Sequence, residues 1–287
     1  MVTARGIKTN AKIFGLLSVL TGVFLGAGYL IGGTGGMIIG LVLAGLMNFG
    51  SYWFSDKIVL KIYGAEPLPK QEYPELHDKV EELAKKAGIP KPRLYISSMK
   101  VPNAFATGRN PDKGVVCVTQ GLLDQLEKDE GEGVTAHELA HIKNRDTLVN
   151  AVVATVAGAV AMLAELAFWS SLFAGEDGGE MVSALAFMIV TPIIATIIRM
   201  AVSRTMEFRA DSEAVRITGN REGLSSALQK ISSENKRSKP QKHVSKVQES
   251  GANLFIENPF SADKMTKYFS THPPLEERLE NIGSTEV

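Results

Sequence analysis

The sequence predicts an α+β chain, mainly helical, with about four transmembrane helices and a polar domain that carries a small sheet. Three observations lead there. Two charge-free apolar stretches of about twenty residues stand near the amino terminus, and two further apolar stretches, each with a single charge, lie between residues 148 and 202. Short β-prone runs cluster between residues 92 and 119. The remaining polar segments show helical spacing of their apolar residues. The overall hydrophobic share of 45% conceals this organisation, because the apolar residues are concentrated in blocks. Lys plus Arg equals Asp plus Glu at 31 each, so net charge points to neither nucleic acid nor an acidic partner. The single cysteine, Cys117, excludes an internal disulfide framework and a cysteine-rich metal site, and reads as a small buried residue.

Residues 13–33 and 35–54 each match the ~20 residues needed to cross ~30 Å of hydrocarbon. Arg5, Lys8 and Lys12 precede the first, as in a secretory signal. Its apolar core exceeds the ~7–15 residues of such a signal and runs straight into the second stretch, so a retained hairpin is predicted. Small residues four apart (Gly22/Gly26, Gly28/Gly32, Gly36/Gly40) suit close helix packing. Residues 148–174 contain only Glu165, and 181–202 only Arg199, with the acidic loop GEDGGE between them and a kink expected at Pro192. Lys and Arg gather before the first span, after the second, and on both sides of the second pair. The positive-inside rule then places both termini and all polar segments except the two short turns in the cytoplasm. A buried helical pair in a soluble core is the alternative reading of 148–202.

Between the hairpins, residues 74–87 have helical spacing and are stopped by Gly88. Residues 92–98, 103–108 and 114–119 read as strands, with RNPDKG a turn between the last two. Helical periodicity returns over QGLLDQLEKDEGEGVTAHELAHIKNR, with a break expected near Gly131–Gly133. After the fourth span, 203–218 and 221–233 are expected to be helical. Residues 233–252 are polar and basic without interleaved aromatics, which reads as a mobile loop and not as a nucleic-acid patch.

The chemistry centres on His137-Glu138-x-x-His141. Four residues turn an α-helix by about 400°, so both imidazoles project from one face. Two neutral imidazoles at that spacing can bind one zinc ion, and the intervening Glu138 is placed to accept a proton from a bound water. A hydrolytic site needs a third protein ligand: His, Asp or Glu. Asp146 lies five residues beyond His141 and should point around another face, as a cap or a partner for Arg145. The stretch SRTMEFRAD offers Glu207 as ligand and Asp211, one turn on, as acceptor for an imidazole N–H; a solvated acidic stripe or an ion pair with Arg204 is the plainer alternative. His141 precedes the third span and Glu207 follows the fourth by a turn or so of helix. Two crossings return the chain to the same side, so both parts of the site can meet there.

Taken together, the apolar amino-terminal hairpin, PNAFATG, HELAHIKNRD, SRTMEFRAD and FSTHPPLEERL resemble the HtpX-type membrane zinc metalloproteases and, more distantly, the CAAX prenyl proteases. The resemblance covers most of the chain. It implies a cytoplasmic zincin-like protease domain and an endopeptidase of membrane-protein quality control in the cell membrane. By position, His137, His141 and Glu207 are the ligands of one Zn2+ per chain, Glu138 the general base and Asp211 an outer support. Asn103, Ala104 and Phe105 align with the edge strand that receives an extended substrate, and His272 with a histidine able to donate to the oxyanion. Met206 departs from the charged residue often found there. Implied partners are unfolded or membrane-protein polypeptides and the lipid bilayer, with no nucleic acid; a homo-oligomer is compatible with this reading. The expected division is an amino-terminal hairpin at 1–61, the sheet and HExxH helix at 62–147, a second hairpin at 148–202, and the third ligand and carboxy-terminal helix at 203–287. A membrane scaffold with structural or no zinc, or a prenyl-CAAX-processing protease, are the rival readings.

Overall fold

The computed structural model describes residues 4–153, 155, 204–237 and 273–287. The second apolar hairpin from residue 156 onward, with Glu165, Pro192 and Arg199, lies outside the described residues, as do residues 238–252 and His272. The chain divides into two compact units, Met1–Trp53 with Ala151–Ala201 and Phe54–Asn150 with Val202–Val287.

In the first unit, α1 (Ala4–Trp53) is broken at Gly32 and Gly33, where Gly33 takes φ 57°. Only glycine adopts that backbone without penalty, so the break sets the end of one helix and the start of the next. Thr9–Tyr29 and Gly32–Trp53 are each long and apolar enough to cross a membrane. Their apolar side chains face outward: Ile38 is 62% and Leu46 64% exposed, unlike those of a soluble core helix. The halves touch through glycine. A Cβ on Gly36 would meet Gly28 O at 2.1 Å, and one on Gly40 would meet Phe24 O at 2.2 Å. Gly22, Gly26 and Gly32, grouped with them on spacing, have open space instead. Asn48 reaches across to donate to Thr21 Oγ1 at 3.1 Å, a polar tie between the two apolar helices.

The second unit is mainly helical around a small mixed sheet. Its elements are α2 (Ser55–Ile62), β1 (Ala65–Pro67), α3 (Pro74–Ala87), β2 (Arg93–Ser97), β3 (Ala104–Thr107), β4 (Val115–Thr119), α4 (Gln120–Gln125) and α5 (Lys128–Asn144). After these come helical residues 146–150 (α6) and 204–218 (α7), then α8 (Arg221–Arg237) and α9 (Leu275–Ser284). The sheet order is β1-β2-β4-β3, with β2 and β4 parallel and both outer pairs antiparallel. β3 is therefore an edge.

Alternation along the strands sorts the core. Ala104, Ala106, Val116 and Val118 face the main core with Leu83 of α3, Leu139 of α5 and Leu228 of α8. Phe105, Val115 and Cys117 face the other way, onto Val59 and Leu60 of α2 and Tyr63. Cys117 is fully buried there, and burial pushes its thiol up to about 12.

Two local expectations change. The break foreseen at Gly131–Gly133 falls instead at Leu126–Glu127, where Glu127 and Glu130 form a reciprocal capping box. α5 runs straight through both glycines. Gly133 is needed for proximity: a Cβ there would meet the Leu224 backbone N at 2.7 Å, so α8 can lie directly on α5. The segment after 233 also stays helical to Arg237, beyond its expected end.

Candidate metal centre

α5 places His137 and His141 one turn apart, and tertiary packing buries them at 0% and 7% exposure. Their Nε2 atoms face one another at 3.1 Å. α7 delivers Glu207 to the same point, with Oε1 3.3 Å from His141 Nε2 and Oε2 3.5 Å from His137 Nε2. The three ligand atoms lie within 4.8 Å of one another, and among the described residues this is a group able to hold a metal ion.

The opposite ring nitrogens point outward to carboxylates. His137 Nδ1 lies 2.9 Å from Asp211 Oδ1, a short contact bent from ideal hydrogen-bond geometry. His141 Nδ1 lies 3.2 Å from Asp146 Oδ2. With each Nδ1 carrying its proton toward a carboxylate, both Nε2 atoms turn lone pairs into the space they share with the Glu207 carboxylate. Three acceptors converging in a buried site repel unless a cation lies among them. The donor set therefore fits a divalent metal.

The electrostatics carry the same demand. Burial alone would push both imidazole pKa values down, yet the surrounding carboxylates outweigh it and carry both above the ordinary value. Burial would likewise raise Asp211, but the Arg278 guanidinium holds it below its ordinary value. Arg278 Nε and Nη2 donate to the two Asp211 oxygens at 2.9 and 2.6 Å, and Nη1 stands 3.7 Å from Glu207 Oε2. α9 thus drives an arginine, 3% exposed, under the metal group.

Glu138 is 1% exposed, and its Oε2 has no hydrogen-bond partner. Burial raises its pKa, against the pull of both imidazoles. The backbone amide of Ala106, on edge strand β3, works against that rise and favours the ionised carboxylate. Asn103, Ala104 and Phe105 are all fully buried. Asn103 Oδ1 accepts from Ala104 N, its carbonyl accepts from Thr119 N, and the Phe105 ring packs 5.3 Å from Tyr63. His272 lies outside the described residues.

The sequence reading did not single out Arg278, and it aimed Asp146 the wrong way. Arg278 did leave a signal: it lies on the face of α9 that holds Leu275 and Ile282, and a charge on an apolar face asks for a buried partner. Asp146 left none. Instead of pointing around a different face, it turns back onto His141, and its other oxygen takes Arg209.

A profile of "Peptidase family M48" matches residues 70–286. The chain is 48% identical over 271 residues to a "Protease HtpX homolog" of Persephonella marina, covering 93% of this chain and 94% of that one. It is 49% identical to the homologue from Pyrococcus furiosus, with 93% and 92% covered, and 45% identical to "Protease HtpX" of Legionella pneumophila, with 95% and 98% covered. The crystal structure of S. mikatae Ste24p shares the fold at a TM-score of 0.54 and 18% identity. That likeness covers 96% of this chain, which spans 62% of the other's length. Two imidazoles of an HExxH helix converging with a carboxylate from α7, within a profile match spanning most of the chain, settle the family: this protein belongs to peptidase family M48 and is a metalloprotease.

Proposed function

We propose that the chain is a zinc-dependent, membrane-bound endopeptidase that cleaves misfolded or damaged membrane proteins from the cytoplasmic side. The observation that carries this reading is the convergence of His137, His141 and Glu207 beside the unpartnered oxygen of Glu138. Two ligands at ~2.0–2.1 Å from a tetrahedral zinc stand roughly 3.3 Å apart. The 3.1, 3.3 and 3.5 Å separations here accommodate that spacing. Zinc, when bound, supplies the positive charge that acidifies a water and polarises a peptide carbonyl.

The chain's own residues do the rest. Glu138 accepts the water proton at its free Oε2 and returns it to the leaving amine. β3 supplies the edge along which Asn103, Ala104 and Phe105 would meet an extended polypeptide, recognised through its backbone. His272 would donate to the oxyanion. Membrane residence is supported by two outward-facing apolar helices. A second hairpin over 148–202 would make four spans and hold both parts of the site at one cytoplasmic surface, between polar parts 62–147 and 203–287.

The test pairs metal analysis with cleavage. Purified protein should hold one zinc per chain and degrade casein. Glu138→Gln should keep the zinc and lose cleavage by roughly 10²–10⁴-fold. Equal cleavage by that variant would remove the proposed base, and activity confined to farnesylated peptides would favour the prenyl-protein reading.

A further inference from the structure

The turn that ends the HExxH helix contains an unusual conformation. α5 stops at Asn144, and Arg145 takes φ 62°, ψ 25°. Among the described residues it is the one non-glycine with positive φ. A side-chain-bearing residue adopts that conformation at a cost, so something downstream must hold it. Had α5 continued, Asp146 would stand five residues, about 500° of rotation, past His141 and face elsewhere. The left-handed step reverses the chain and brings Asp146 back, 1% exposed, with Oδ2 3.2 Å from His141 Nδ1.

Both carboxylate oxygens are committed. Asp146 Oδ1 accepts from Arg209 Nη2 at 2.5 Å, and Arg209 lies two residues beyond Glu207 on α7. The next residue is pinned as well: Thr147 Oγ1 donates to Gly108 O at 2.8 Å, just past the end of β3. One turn thus joins the second histidine, the helix bearing the carboxylate ligand, and the edge strand. It also sits at the last residues before the 148–202 segment, while Arg209 follows that segment.

We infer that Asp146 is a positioning residue: it fixes the tautomer and ring plane of His141 and, through Arg209, ties that ligand to the helix carrying Glu207. A carboxylate on Nδ1 leaves the Nε2 lone pair for the metal. The Arg209 guanidinium holds that carboxylate in place from the far side. The inference rests on the zinc reading, and its test separates the two.

Zinc affinity is measured by chelator competition on the full chain in detergent, for the parent protein, Asp146→Asn, Asp146→Ala and Arg209→Met. The visible spectrum of each Co2+-loaded form and the thermal midpoint of each metal-free form accompany it. Asp146→Ala should weaken zinc binding by roughly 10–100-fold and alter the Co2+ spectrum. Asp146→Asn, which keeps an acceptor for the imidazole N–H, should fall between it and the parent, and Arg209→Met should lose less than Asp146→Ala. Parent-like affinity in Asp146→Ala overturns the inference. So does a loss of affinity that only follows a lowered metal-free midpoint, because that marks a merely structural residue. A parent protein that binds no zinc removes the metal reading and this inference with it.

Discussion

His137 and His141 occupy one face of one helix, yet the two regions that support them are built differently. On the His137 side, Asp211 is fully buried and gripped at both oxygens by Arg278, itself 3% exposed. On the His141 side, Asp146 is equally buried, but Arg209 reaches it with a side chain 33% exposed. The first support is a dry ion pair delivered by the carboxy-terminal helix. The second opens to solvent and is delivered by a turn. The energetic stakes differ accordingly. A buried charge that loses its partner is stranded in a low dielectric, whereas a partly exposed pair is screened by water.

Removing the arginine on each side is the most direct way to break that contrast. Arg278→Met leaves Asp211 buried beside Glu207 without its counter-charge and should cost about 3–5 kcal/mol of stability. Chemical denaturation should show the loss, together with weakened metal binding, and Arg278→Lys should recover part of both. A loss no larger than that of an exposed pair would show that water reaches Asp211. Acidification sharpens the comparison with a smaller effect. Asp211 has a depressed pKa in the folded protein, so its contribution is present above the unfolded value of ~3.9 and lost only as pH falls through the lower folded value. Glu138 is raised by burial, so it takes up its proton at a higher pH than an ordinary carboxylate. Casein cleavage should therefore disappear on the acid side while circular dichroism still reports a folded protein; simultaneous loss of both would contradict the two directions. A smaller loss of stability than for Arg278→Met is expected from Arg209→Met in the same denaturation experiment, because water screens the arginine end of that pair. A loss matching that of Arg278→Met would erase the distinction between the two supports.

Much of the helical frame was legible because its signals are local. The α3 boundaries follow from the apolar spacing and from Gly88, which takes the left-handed conformation that ends the helix. Strands β2, β3 and β4 fall within the β-prone runs. The short α2 and β1 were not legible. α2 directly follows the apolar stretch and offers only eight residues, and the three-residue β1 exists because it pairs with β2. Gly133 misled because a glycine in a helix resembles a break until the neighbour that needs the space is known; that neighbour, Leu224, is 91 positions away in the sequence.

By itself the sequence determined the pair of histidines, the base between them and an acidic candidate downstream. Helix geometry converts a spacing of four residues into a shared face wherever the helix sits. It also determined the apolar hairpin, since length and hydropathy are properties of a segment alone. Only the tertiary structure decided what stands behind each ligand. Arg278 reaches Asp211 across 67 positions, and Asp146 meets Arg209 across 63. Asp146 meets His141 only because Arg145 takes a conformation for which a residue bearing a Cβ gives no advance sign. Charges buried beside one another are chosen by packing, and packing is a property of the whole chain.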